Sequence, residues 1–190
     1  MRFLDKMVTK KEQQFLLQLA RNAIAHRSES LSPLPNGISP HLKERHGVFV
    51  TLTIHHELRG CIGHLLPTGM VYKSVIDNAV NAAYHDPRFL PVAKEEVEQL
   101  EIEISLLTDP VRLDYIDASH LLKKLDTKEG LILKKGMKTA TFLPQVWEQI
   151  PDKKEFLSEL CMKAYLDENA WQDSDVEVYA YKVEKFGDWH

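Results

Sequence analysis

The stretch Leu58-Arg59-Gly60-Cys61-Ile62-Gly63 sets one thiol two residues from one guanidinium, with glycines on both sides of the thiol. On an extended strand, residues two apart share a face, so Arg59 and Cys61 are expected to point together while Leu58 and Ile62 point the other way. A guanidinium beside sulfur favours thiolate over thiol and raises the nucleophilic fraction near neutral pH. Gly60 and Gly63 leave room for a substrate, or another backbone, to come close. The same residues also admit a structural reading: Cys61 as a small buried hydrophobe, Arg59 paired with a carboxylate, and the glycines at a bulge or tight crossing.

A second group is Tyr84-His85-Asp86-Pro87-Arg88-Phe89, where imidazole, carboxylate and guanidinium gather at a helix end. His85 is a candidate base, Asp86 a candidate for orienting it, and Arg88 a candidate for holding an anionic group. Structural roles compete here too, because a helix C-terminus favours histidine and an Asp-Pro-Arg turn can be held by an ordinary ion pair. Glu103 and Ser105 share one strand face and could line a polar cleft, or simply the wet side of a half-exposed sheet. His55, His56, Cys61 and His64 resemble a ligand set, but Cys61 and His64, three apart on a strand, face opposite ways, so no metal is expected. Cys161 lies in the apolar stripe of a helix beside Leu157 and Leu160 and reads as core.

These residues need elements to hold them. Thr9 followed by Glu12 reads as a capping box, and Phe15, Leu16, Leu19, Ala20, Ala23 and Ile24 continue it as an amphipathic helix over 9–26. Proline, serine and glycine crowd 28–41, which reads as a long loop. Val48–Ile54 and Leu58–Gly63, separated by polar His55-His56-Glu57, form a hairpin. Val71, Val75, Ala79, Ala82 and Ala83 mark a helix that Pro87 ends. A Glu-rich turn at Lys94–Gln99 precedes a half-buried strand carrying Ile102, Ile104 and Leu106. A helix over Asp117–Leu125, a hairpin turning at Lys135-Gly136-Met137, a helix capped by Asp152 and a closing strand over Val176–Val183 complete the chain. Hairpins with interspersed helices, and no repeated βαβ unit, indicate an α+β class with mainly antiparallel sheet.

The chain has 190 residues, the size of one domain or two joined lobes, and 1–190 reads as one folding unit with a core over 47–186. Its formal charge of −4 provides no extended basic field, and its aromatic residues form no stacking series with basic ones, so nucleic acid is not an expected partner. No apolar run approaches the ~20 residues of a membrane span, and the N-terminus lacks a signal-peptide core, so the expected location is the cytoplasm. With two distant cysteines, free thiols are the default. No nucleotide-binding fingerprint is present.

In order, Val48–Leu52, Leu58–Gly63, Asp86-Pro87-Arg88-Phe89, Ile104–Leu107 and Leu143-Pro144-Gln145-Val146-Trp147 resemble the AMMECR-one domain family, whose signature is the Leu-Arg-Gly-Cys-Ile-Gly block. The resemblance runs from the first helix to near the C-terminus and is to the stand-alone prokaryotic members, the AmmeMemoRadiSam system protein A type. It implies an α+β fold of a larger and a smaller lobe, with the signature near the cleft between them. It also implies Memo-like and radical S-adenosylmethionine proteins as pathway partners, while implying no settled reaction or cofactor. Arg59, Gly60, Cys61, Gly63, Asp86 and Arg88 fall on family motif positions; His55, His56 and His64 do not. Tyr165 stands where relatives usually have glycine. Taken together, the residues point to Cys61 as nucleophile or acid/base, activated by Arg59 and assisted by His85 or Asp86. Gly60, Gly63, Arg88, Glu103 and Ser105 would meet a small-molecule or peptide ligand. A non-catalytic binding or scaffold module is the alternative.

Overall fold

The structure, a computed structural model, describes residues 7–27 and 38–188; residues 28–37 of the expected loop lie outside that set. The fold is α+β, with two four-stranded antiparallel sheets. The chain divides into two compact units, Met1–Leu107 with Glu184–His190, and Thr108–Val183.

In the first unit, α1 (Lys10–His26) starts at the expected capping box: Thr9 Oγ1 accepts from the Glu12 N–H, and Glu12 accepts from the Thr9 N–H. Strands β1 (Gly47–Ile54) and β2 (Glu57–His64) form the expected hairpin. Its two-residue turn is His55-His56, with φ of 51° and 65°. Both values lie in the left-handed region that a tight, strand-matched turn requires. Helix α2 (Val71–Tyr84) ends just before Asp86-Pro87, and β3 (Glu101–Leu107) follows a 3-10 turn over Lys94–Gln99.

The first sheet has strand order β2-β1-β3-β8, where β8 is Val183–Gly187. Val48, Val50, Leu52, Ile102, Ile104 and Leu106 are buried in one cluster with the apolar stripes of α1 and α2. The alternate residues Phe49, Thr51 and Thr53 face the other way, opposite Ser105, Glu103 and Glu101 of β3. That second face is polar and is where the candidate chemistry collects.

The second unit holds β4 (Val111–Arg112), α3 (Ala118–Lys124), β5 (Gly130–Lys135), β6 (Lys138–Phe142), α4 (Val146–Gln149), α5 (Lys153–Lys163) and β7 (Glu177–Tyr181). Its sheet has the order β4-β7-β5-β6. Asp152 caps α5 as expected, accepting from the Lys154 and Glu155 N–H groups. Trp147 stacks on Phe156 with ring centroids 3.5 Å apart, and Cys161 is fully buried in the same core. The closing strand expected over Val176–Val183 is instead two strands: β7 belongs to the second sheet, and β8, after Lys182, is an edge of the first. One continuous apolar-alternating run carries no mark of a change of sheet.

Candidate functional site around Cys61

The β1–β2 hairpin contains a bulge that decides where Cys61 points. Ile54 pairs with Glu57 and Thr53 with Leu58, but Leu52 then pairs with Gly60, leaving Arg59 as the extra residue. Beyond the bulge Cys61 pairs with Thr51; the unshifted register would have set it opposite the buried Val50. Cys61 is therefore partly exposed on the polar face. Leu58, opposite Thr53 on the turn side of the bulge, lies on that same face, correcting the expectation that Leu58 points away from Cys61.

Arg59 does not sit beside the thiol. Its guanidinium forms a two-pronged pair with Glu96 at 2.8 and 2.9 Å and also donates to the Leu90 carbonyl at 2.9 Å. The hydrogen bonds from Arg59, reinforced by the Ala93 N–H, hold Glu96 at a pKa of about 2. Activation of Cys61 by Arg59 is thus replaced by a structural ion pair.

The guanidinium that contacts Cys61 is that of Arg88. It donates to the Cys61 carbonyl at 3.1 Å and to Asp86 at 2.9 and 2.7 Å, and its pKa is raised by Asp86 first and by Cys61 in smaller part. Asp86, only 4% exposed, also accepts from the Cys61 N–H at 2.9 Å. Both backbone polar groups of Cys61 on this outermost strand are therefore satisfied by Asp86 and Arg88, which close a sheet edge that would otherwise be open. Hydrogen bonds from Arg88 outweigh burial and hold the Asp86 carboxyl well below the usual carboxylate range. None of the Asp86 bonds goes to His85, which lies exposed at the end of α2, so the expectation that Asp86 orients a histidine base is corrected.

The spaces at the glycines are filled by the protein. A Cβ at Gly60 would lie 2.1 Å from the Ala82 carbonyl oxygen, and one at Gly63 would lie 2.4 Å from the Phe49 ring. Gly60 lets α2 pack against the strand and Gly63 seats an aromatic ring, which corrects their assignment to substrate binding.

On the open face, Thr51 Oγ1 lies 3.2 Å from Cys61 Sγ. Thr51 pairs across the sheet with Glu103, whose carboxylate is 3.4 Å from Lys185 Nζ. Ser105, 7% exposed, lies one row along on the same face, opposite Phe49. A thiol, a hydroxyl, a carboxylate and an ammonium are thus arrayed across β2, β1, β3 and β8. Thr51, Glu96 and Lys185 are additions to the sequence reading. The alternation within β1 already put Thr51 on a wet face, but its partner depended on the bulge. Among the described residues, no group of three or more His, Cys, Asp or Glu side chains is arranged to hold a metal ion. Among them, no helix is long and apolar enough to cross a membrane.

The family model AMMECR1 matches residues 17–186. Protein PF1979 of Pyrococcus furiosus is 40% identical over 184 residues, covering 91% of this chain and 86% of that protein. Protein MK0488 of Methanopyrus kandleri is 35% identical over 193 residues, covering 96% and 91% respectively. The crystal structure of an uncharacterized protein, PH0010 from Pyrococcus horikoshii, is similar with a TM-score of 0.81 at 35% identity, covering 97% of this chain and 95% of that one. The matched span takes in the Cys61 hairpin, the Asp86–Arg88 segment and both sheets, and on that basis the chain belongs to the AMMECR1 family.

Proposed function

We propose that this chain is a cytoplasmic, cysteine-dependent enzyme or enzyme component in which Cys61 is the nucleophile. The observation that carries the reading is the bulge at Arg59, which turns Cys61 off the core side and sets its sulfur beside the Thr51 hydroxyl, with the Arg88 guanidinium on the Cys61 carbonyl. Arg88, with its side chain 54% exposed, can meet an anionic group on the substrate. Asp86 takes no part in proton transfer; it stays ionised and holds Arg88 and the Cys61 backbone. Glu103, with its lysine neighbour, and Ser105 are the polar groups offered to the rest of a small-molecule or peptide substrate. Memo-like and radical S-adenosylmethionine proteins are the pathway partners to test by co-purification.

A binding module without turnover is the second reading, favoured by the structural employment of Arg59, Gly60, Gly63 and Asp86 around the thiol.

The test is alkylation of the native protein, read by peptide mass, with Cys161 as control, since burial pushes the Cys161 thiol up to about 11. Cys61 is expected to react in the folded state and Cys161 only on unfolding. Anionic iodoacetate is expected to gain on neutral iodoacetamide at Cys61 and to lose that gain in Arg88→Ala. A Cys61 that labels only on unfolding overturns the nucleophile reading and leaves the binding module.

A further inference from the structure

We infer that Arg59 is a positioning residue, whose pair with Glu96 holds Arg88 and Asp86 in place against Cys61. The inference rests on the Cys61 reading and adds how that site is kept in register. After α2 the chain runs from Asp86 to Glu96 along the outer edge of β2. The near end of this segment is fixed by the close packing of Ala82, in the last turn of α2, over Gly60, and its later part is tied back to α2 by the Val92 N–H donating to the Ala83 carbonyl at 2.8 Å. The far end is fixed by Arg59, which grips Glu96 and the Leu90 carbonyl. Between the two lie the contacts that matter for the residue carrying the thiol: Asp86 on the Cys61 N–H, and Arg88 on the Cys61 carbonyl.

Arg59 is also the bulged residue, so the feature that turns Cys61 outward aims the guanidinium at the segment clamping it. Side chains of the pair are 17% and 31% exposed, which shields it from solvent better than a surface ion pair. Planar, two-pronged geometry adds direction as well as attraction.

The experiment compares Arg59→Ala, Glu96→Gln and the exchange Arg59→Glu with Glu96→Arg. It reads hydrogen exchange of the Cys61 amide and the pH profile of Cys61 alkylation, while continued exchange protection of the buried Val50 and Ile104 amides reports an intact first unit. Each single variant is expected to speed exchange of the Cys61 amide by about tenfold, the scale of one lost charge-assisted bond, and to displace the alkylation profile. The exchanged pair is expected to restore both. Folded single variants whose Cys61 amide and alkylation match the wild type overturn the inference. Should Arg59→Ala not fold, Glu96→Gln, which keeps the shape and one acceptor, is read against the same two outcomes. An inert Cys61 thiol would overturn the proposed nucleophile, yet the amide still reports on the clamp.

Discussion

Thr51 and Arg88 meet Cys61 from different elements, Thr51 on the neighbouring strand at the sulfur and Arg88 on the segment after α2 at the carbonyl. Thr51→Val keeps the shape of the side chain and removes only the hydroxyl. A hydrogen bond of this kind contributes about 0.5–1.5 kcal/mol, so alkylation of Cys61 is expected to slow by roughly three- to tenfold at neutral pH. Protection of Cys161 should not change. An unaltered Cys61 rate would remove Thr51 from the site.

Two backbone positions at the scale of elements predict opposite outcomes. Gly60 lies where α2 crosses β2, and a methyl group there meets the Ala82 carbonyl at 2.1 Å. Gly60→Ala is therefore expected to destabilise the protein by about 1–3 kcal/mol, because either the helix or the strand must shift. Tyr165 follows α5 in the left-handed conformation, with φ 57°, and its ring is 87% exposed. There the side chain adds strain with little burial to offset it, so Tyr165→Gly is expected to stabilise by about 1 kcal/mol. Urea unfolding of both variants checks the pair of signs.

For the molecule as a whole, acid stability follows from carboxyls of the first unit. Burial tends to raise the Glu12 pKa, but hydrogen bonds from Ser39 and Thr9 outweigh it and bring it to about 2, from a reference of 4.5. Glu96 is brought to about 2 by Arg59, and Asp86 is lowered further by Arg88. Each folded pKa lies below its unfolded value, so these groups stabilise the protein above the unfolded value and cease to as pH falls through the folded one. Unfolding free energy is expected to be nearly level from neutral pH to about 5 and to drop between about 4.5 and 2. Glu12→Gln should be less stable at neutral pH and show a shallower acid drop. Equal slopes in the two proteins would contradict the assignment.

The helices, hairpins and α+β class were legible in the chain because each rests on local signals: the Thr9 box, the alternation of Ile102, Ile104 and Leu106, and the Asp152 cap. The signature around Cys61 was legible as a place of interest for the same reason. The partners were not. Strand alternation predicted Arg59 beside Cys61, whereas one extra residue in β2 changed the register, sent Arg59 to Glu96, and set Thr51 at the sulfur and Arg88 at the Cys61 carbonyl. The division of 176–187 between two sheets was likewise hidden, since strand period reports which residues share a face and not which neighbour they pair with. Local sequence determined the elements and the presence of an unusual thiol. Pairing register, a long-range property that a single inserted residue can invert, decided which face that thiol occupies and which hydroxyl stands next to it.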